Sequence, residues 1–373
     1  MRCSTAVLGA AVGMALLRFG AGIARADTPP SPWDIARDPD DRERWALHRK
    51  VERLVHPPPP DDPMALDTRQ DDELRLEAAR IMLEQADAAH SPSVLLRFDL
   101  GTVYEQLATI TKRNDLQQKV IDIVAPALDQ SGDSPSATEA TEALAYAYAK
   151  LDKPQEELAT WMRYIPRVLD DRARVAPLMN MGEAQMRRGF LDAALATFHE
   201  GLRLCETLPN SAGVNSTYAL TLWDVALALD REGDAVAALD TAAKARSWTW
   251  SEIGGSGAAQ VVRTVTGWDI IRDEESVFFV PDWERDWYLA LGDAASARQA
   301  SDLRDAARRW GWSERHWDSY VARSTASGRR DPWIGVARAR REHVRRLRVE
   351  AEKRASALPP TGRSSRGEPW TDD

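Results

Sequence analysis

Through most of the chain apolar residues return every three or four positions, the spacing that lays one stripe of an α-helix against a core. The pattern sets in at Asp71. Leu74, Ala78, Ile81 and Gln85 share one face of a first helix, with Asp71 and Asp72 favouring its N-terminus. A helix beginning near Ser93 carries Leu100, Gly101 and Tyr104. Thr138 to Leu151 forms the next, Asp152-Lys153-Pro154 turns the chain, and Glu156 to Ile165 returns it with Trp161. Val175 to Gly189 and Tyr218 to Gly233 repeat the arrangement. Their second helices carry Ala194, Phe198 and Gly201, then Ala238, Ala242 and Ala245. Gly189 and Gly233 supply the left-handed backbone that ends the first helix of each pair.

One motif recurs on the first helices: Leu100-Gly101-x-x-Tyr104, Leu144-Ala145-x-x-Tyr148, Met181-Gly182-x-x-Gln185 and Val225-Ala226-x-x-Leu229. A small residue after a large one lets a neighbouring helix approach closely. The pattern over residues 93–246 resembles the tetratricopeptide repeat (TPR), a helix–turn–helix unit with L-G-x-x-Y on its first helix. Residues 174–202 are the clearest copy, with Gly182, Gly189, Ala194 and Phe198 at family spacing. Glu157 stands where the family has alanine, and Gln185 where it has tyrosine. The resemblance implies an all-α protein, a TPR-like α-solenoid of antiparallel helical hairpins with a Trp-rich C-terminal helical cap. Leu100, Gly101, Tyr104, Ala145, Tyr148, Trp161, Met181, Gly182, Gly189, Ala194, Phe198, Ala226, Gly233 and Ala238 are its expected packing residues. Connections such as Leu208 to Ser216 absorb a spacing longer than the family period of about 34 residues.

Beyond Arg246 the repeat fades. Ser247 to Gly257 is rich in Trp and Gly, Ala258 to Ile271 shows no clear period, and Val277 to Pro281 reads as a short strand or an extended segment. A helix starting at Asp282 is expected to stop at Gly292, and a long one follows from Ser301. In the latter Trp310 and Trp312 cannot both point inward unless the helix bends at Gly311. Asp331-Pro332 opens a final helix through about Ala355, crowded with arginine and bearing a partial apolar face of Val336, Val344, Leu347 and Val349. Tryptophans concentrate in this half, where core packing and a glycan- or peptide-binding surface are the competing uses.

The first residues change the picture of compartment. Ala6 to Leu17 is an apolar core too short to span a bilayer, and Ala24-Arg25-Ala26 is a cleavage pattern, so residues 1–26 read as a signal peptide removed after Ala26. The expected organisation is therefore a leader at 1–26, an acidic Pro-rich and partly extended segment at 27–70, repeats at 71–246, a Trp-rich helical region at 247–357 ending in a basic helix, and a tail at 358–373. A short charged helix lies within the second of these, at Arg42 to Arg53. Removing the leader removes Cys3 and leaves Cys205, which follows Leu202 and Leu204 and reads as a buried structural thiol. The net charge of −9 argues against a nucleic-acid binder.

No arrangement of residues points to catalysis, to a metal or to another cofactor: the histidines are scattered, and there is no CxxC, phosphate loop or nucleophile elbow. Glu139, Glu142, Glu156 and Glu157 read as solvated helix faces. Binding is the better reading. The resemblance places a concave groove on the first helices, and its ligand positions hold Tyr146 and Lys150, then Glu183, Met186 and Arg187, then Trp223, Asp230 and Arg231. The expectation is a periplasmic scaffold for protein partners in the bacterial cell envelope. The basic C-terminal helix adds a contact to anionic lipid, and no nucleic acid is expected. A wall-associated glycan binder or hydrolase using the Trp-rich half is the alternative.

Overall fold

The structure, a computed structural model, describes residues 42–57, 69–131, 135–254, 261–273, 277 and 279–357. The leader, most of the Pro-rich stretch and the tail lie outside them. The described chain is helical throughout apart from one hairpin. In order it forms α1 (Arg42–Val55), α2 (Arg69–Gln85), α3 (Val94–Thr111), α4 (Asn114–Gln130), α5 (Pro135–Lys150), α6 (Pro154–Tyr164), α7 (Asp171–Arg187), α8 (Leu191–Thr207), α9 (Ala212–Glu232) and α10 (Ala235–Ser247). Strands β1 (Thr249–Gly254) and β2 (Val261–Thr266) precede α11 (Gly267–Arg272), α12 (Glu284–Gln299), α13 (Leu303–Ala326) and α14 (Ile334–Ser356).

Local chemistry sets the boundaries. Asp170 caps α7 through the Arg172 amide, Ser211 caps α9 through Val214, and Asp234 caps α10 through Ala237. Gly233 leaves α9 with φ of 109°, and Gly189 turns the α7–α8 connection with φ of 81°. Consecutive helices joined by such short turns fold back on one another and pack side by side. The close approaches fall where the motif places small residues. A methyl group at Gly101 would come within 2.1 Å of Val124 Cγ2 on α4, and one at Gly182 within 2.3 Å of the Phe198 ring on α8.

The apolar interior lies in two large clusters and a bridge. The first, from Val51 to Ala147, joins α1 through α5. The second runs from Val175 on α7 to Ala351 on α14. Between them Ala145, Trp161, Tyr164, Ile165 and Leu178 knit α5, α6 and α7. The second cluster passes straight through residue 246, so repeats and cap share one core. The charged helix α1 belongs to the first cluster, and His48 Nδ1 lies 2.9 Å from the Asp99 carboxylate of α3.

Several expectations change. On α2 the buried stripe is Leu76, Ala79 and Leu83, whereas Leu74 is 62% exposed, and Ala78, Ile81 and Gln85 also face outward. Both stripes have helical spacing, so periodicity alone did not choose between them; the Tyr104 hydroxyl donating to Glu84 Oε1 at 2.6 Å holds the observed rotation. Gly292 does not stop α12, which runs on to Gln299. A methyl group there would come within 2.2 Å of Trp268 and 2.9 Å of Trp223, so the glycine admits two rings at an intrahelical cost of about 1 kcal/mol.

The stretch without clear period folds as an antiparallel hairpin, with Trp250 opposite Val265 on its buried face. Val277, Phe279 and Val280 belong to neither strand nor helix. Helix α13 continues through Gly311 with Trp310 buried and Trp312 half-buried, the Arg308 guanidinium 5.2 Å from the Trp312 ring centre. Cys205 is buried, and burial pushes its thiol up to about 12.

These approaches give one substitution two opposite signs. Gly335 on α14 has open space where a Cβ would go, so Gly335→Ala should stabilise by up to about 1 kcal/mol. Gly182→Ala gains the same helix propensity but must displace the Phe198 ring, and a net loss of about 1–3 kcal/mol is expected. Urea denaturation midpoints of the two variants, moving in opposite directions, check this.

Candidate functional site

The expected groove residues meet the cap rather than open solvent. Glu183, Met186 and Arg187 of α7 and Arg231 of α9 line one cleft with Phe279, Val280, Glu284 and Tyr288. The cleft measures about 300 Å³ including its open mouth, of which about 20 Å³ admits the centre of a water molecule. That is room for roughly one or two waters.

The charges around it come in pairs. Arg187, 9% exposed, donates from Nη2 to Glu157 Oε2 at 2.5 Å, and Trp161 Nε1 donates to the same carboxyl group at 3.3 Å. Glu157 is therefore buried, 1% exposed, and not the solvated residue expected from its helix. Arg231 donates from Nη2 to both Glu284 oxygens at 2.6 and 2.5 Å. Its guanidinium also sits 4.7 Å from the Trp287 ring centre and 5.1 Å from that of Trp333. Asp230 accepts from Trp287 Nε1 at 2.9 Å and lies 2.7 Å from Arg340 Nε of α14. Burial raises the Glu157, Glu284 and Asp230 carboxyls, and the neighbouring arginines hold them partly back.

Two carboxyls have no arginine of their own. Asp224, 3% exposed, accepts from the Tyr288 hydroxyl at 2.7 Å on one oxygen and nothing on the other. Burial pushes it up to about 7. Glu183 makes no hydrogen bond or ion pair among the described residues. Burial first, then the charge of Asp224, holds it well above the usual carboxylate range, against the pull of Arg187.

The remaining expected contacts lie apart or beneath. Tyr146 accepts from Asn180 Nδ2 at 3.4 Å one step back along the row. Lys150, half-buried on α5, has its ammonium brought down to about 7 by burial, with Lys112 acting the same way and Glu105 opposing. Trp223 is completely buried: its Nε1 donates to the Gly267 carbonyl at 3.0 Å and its ring lies against Trp268, so it offers no stacking surface. Asp230 is likewise sealed beneath α12 and α14, and Arg231, with no exposed side-chain surface, forms only the floor of the cleft. Helix α12 lies against α9 and covers these residues, with Trp287 and Glu284 placed on them.

The tryptophan-rich half is used for packing. Trp250, Trp283, Trp287, Trp310 and Trp317 are buried, and Trp248, Trp268 and Trp333 pack against the same core. Arginines of α14 face acids of the chain: Arg345 and Arg348 hold Glu314 at 2.7 and 2.6 Å, and Arg341 lies 3.5 Å from Asp318. Among the described residues no group of His, Cys, Asp or Glu is placed to hold a metal ion. None of their helices is long and apolar enough to cross a membrane.

Glu157, Asp224, Phe279, Val280, Glu284 and Tyr288 were not expected at the site. Only Glu157 carried a signal: the repeat that this stretch resembles has alanine there, and an acid at a packed position needs a buried counter-ion. No family model matches the chain, and no curated protein sequence matches it.

Breaking one buried pair should be far costlier than replacing it whole. Arg187→Met leaves Glu157 charged and unpaired and should cost about 3–5 kcal/mol. Joining it with Glu157→Gln should recover most of that loss, measured by the coupling in a double-mutant denaturation cycle. The raised carboxyls also fix a pH dependence. Asp224 has a folded value above its unfolded one, so the native state binds more protons between them. Its contribution is complete below about pH 4 and is lost as pH rises through about 7. Asp224→Asn should flatten the fall in melting temperature between pH 5 and 8.

Proposed function

We propose that the chain is an exported scaffold of tetratricopeptide type that holds a protein partner in the bacterial cell envelope. The partner enters the cleft between α7, α9 and α12. The observation that carries this reading is the convergence of Glu183, Met186, Arg187 and Arg231 on one cleft walled by Phe279, Val280 and Tyr288. It joins a few polar groups of fixed position to apolar walls, the composition of a recognition site. The repeat resemblance supplies the class of ligand, and the pattern of residues 1–26 supplies the compartment.

Binding rather than catalysis fits the way these charges are used. Arg187 and Arg231 join α7 to α6 and α9 to α12, so both are engaged in holding the array together. A lesser contact to anionic lipid falls to α14, where Arg338 and Arg346 project outward from the arginines paired within the chain.

Cross-linking capture from envelope extract tests the reading. Glu183 has no ion pair to lose among the described residues and Glu183→Gln keeps its shape, so that variant should melt at or above the parent while removing the carboxylate from the cleft. Capture should fall about tenfold or more, a change of at least ~1.4 kcal/mol. Equal capture by parent and variant sinks the assignment of the cleft. For export, fractionation with N-terminal sequencing should give a periplasmic protein starting at Asp27; an intact Met1 in the cytosol contradicts it.

A further inference from the structure

Two polar groups in the cleft point to a ligand chemistry more specific than a protein partner. Arg187 uses Nη2 on Glu157, but its Nη1 is buried and has no partner. Buried N–H donors left without an acceptor are rare, and each calls for an explanation. The unused N–H groups of Arg231 differ, because that guanidinium lies between the Trp287 and Trp333 rings. Glu183, one turn before Arg187 on the same helix, makes no hydrogen bond, and the two are not ion-paired to each other. The cleft thus presents an acceptor and a donor side by side, both unused.

The charge balance selects the ligand's sign. Arg187 is matched by Glu157, and of the two carboxyls that line the cleft Glu284 is matched by Arg231, which leaves Glu183 without an ion-pair partner among the described residues. One positive charge is therefore favoured in the cleft, next to one neutral acceptor for Arg187 Nη1. The side walls, Met186, Phe279, Val280 and the Tyr288 ring, suit an apolar group. The enclosed part has room for one or two waters, enough for an ammonium but not for a side chain, so a chain end entering tip first, with its first side chain against the walls of the open mouth, suits the cleft better than a segment threading through.

We propose that the cleft binds the free N-terminus of a polypeptide: its α-ammonium on Glu183, its first carbonyl on Arg187 Nη1, and an apolar first side chain against Met186, Phe279 and Tyr288. This rests on the scaffold reading and names what that scaffold recognises. Binding is linked to protons. The groups facing Glu183 are Asp224 from α9, Glu157 from α6, Glu284 from α12 and Arg187 on its own helix. In the empty cleft burial and the neighbouring acids disfavour the charged form of Glu183, an arriving ammonium favours it, and affinity therefore rises with pH.

Calorimetric titration of the full chain with Leu-Ala-Ala-amide, its N-acetyl form and free L-leucine tests the proposal. The free-amine peptide should bind at millimolar concentration or below, releasing a proton, with the acetyl form weaker by about tenfold or more. L-Leucine should bind more weakly than the peptide, since its carboxylate restores the negative charge that the ammonium offsets. Glu183→Gln, which keeps shape and has no ion pair to break, should lose the preference for the free amine. Equal binding of free and acetylated peptides, no binding of either, or an unchanged preference in E183Q overturns the proposal. L-Leucine binding as tightly as the peptide overturns the chain terminus as the source. Partner capture in extract that survives these failures leaves the scaffold reading standing. Peptide binding without any captured partner removes the scaffold reading instead.

Discussion

Helices in this protein come together where a large side chain is laid over a position with no side chain of its own. Gly101 under Val124, Gly182 under Phe198 and Gly292 under Trp268 and Trp223 are the same solution in three places. Each glycine costs about 1 kcal/mol of helix propensity against alanine, and each permits an approach that any Cβ would block. Interior packing is dense enough that this gap is filled by the neighbour's ring or branched carbon and not left as a void. The pairs α3–α4 and α7–α8 and the approach of α12 to α9 and α11 are fixed this way, and side chains on α7, α9 and α12 converge on one cleft.

The third of these approaches gives the array its ending. An apolar face left open at the end of a helical array needs a cap. Here Gly292 brings α12 onto α9 and α11, α10 packs alongside, and α13 and α14 then close over it. Burying that face also buries the charges that a groove would have shown to solvent. Arg231 loses its water and gains Glu284, Trp287 and Trp333; Asp230 gains Trp287 and Arg340. Desolvation of this order is offset only when every charge is paired and hydrogen-bonded, so the cap must bring its own acids and aromatics.

Which parts of this could be read in advance follows from range. Gly182, Gly189, Ala194 and Phe198 lie within one hairpin, and their spacing is enough to place them against each other. The rotation of α2 was not legible, because Leu74 with Ile81 and Leu76 with Leu83 make equally good stripes and the deciding contact, Tyr104 to Glu84, comes from the next helix. Gly292 looked like a terminator, since its reason for being there lies on Trp268 and Trp223. The paired strands 249–254 and 261–266 escaped because Val262 is exposed while Trp250 and Val265 are buried, so the apolar residues do not all fall on one face. At the site, Glu183, Met186 and Arg187 follow from helical register, but Tyr288 and Glu284 reach it through chain more than fifty residues beyond Arg231.

The arrangement of pairs and singles around the cleft separates structural charge from available charge. A buried arginine–carboxylate pair adds little net stability over an apolar pair of similar shape, but it penalises every register in which either charge lacks its partner. Glu157 with Arg187 and Glu284 with Arg231 thus fix α6 on α7 and α12 on α9. Asp224 contributes nothing of that kind: it holds a hydroxyl, Tyr288, and its other oxygen is idle. Glu183 holds nothing. Two carboxyls whose charged forms burial disfavours, beside a donor without an acceptor, are unfavourable in the empty protein. Folding alone gives no reason for them, since glutamine or methionine at 183 would pack at less cost. A ligand that carries a positive charge and an acceptor removes both penalties together, because Glu183 and the unpartnered Arg187 Nη1 lie a single helical turn apart.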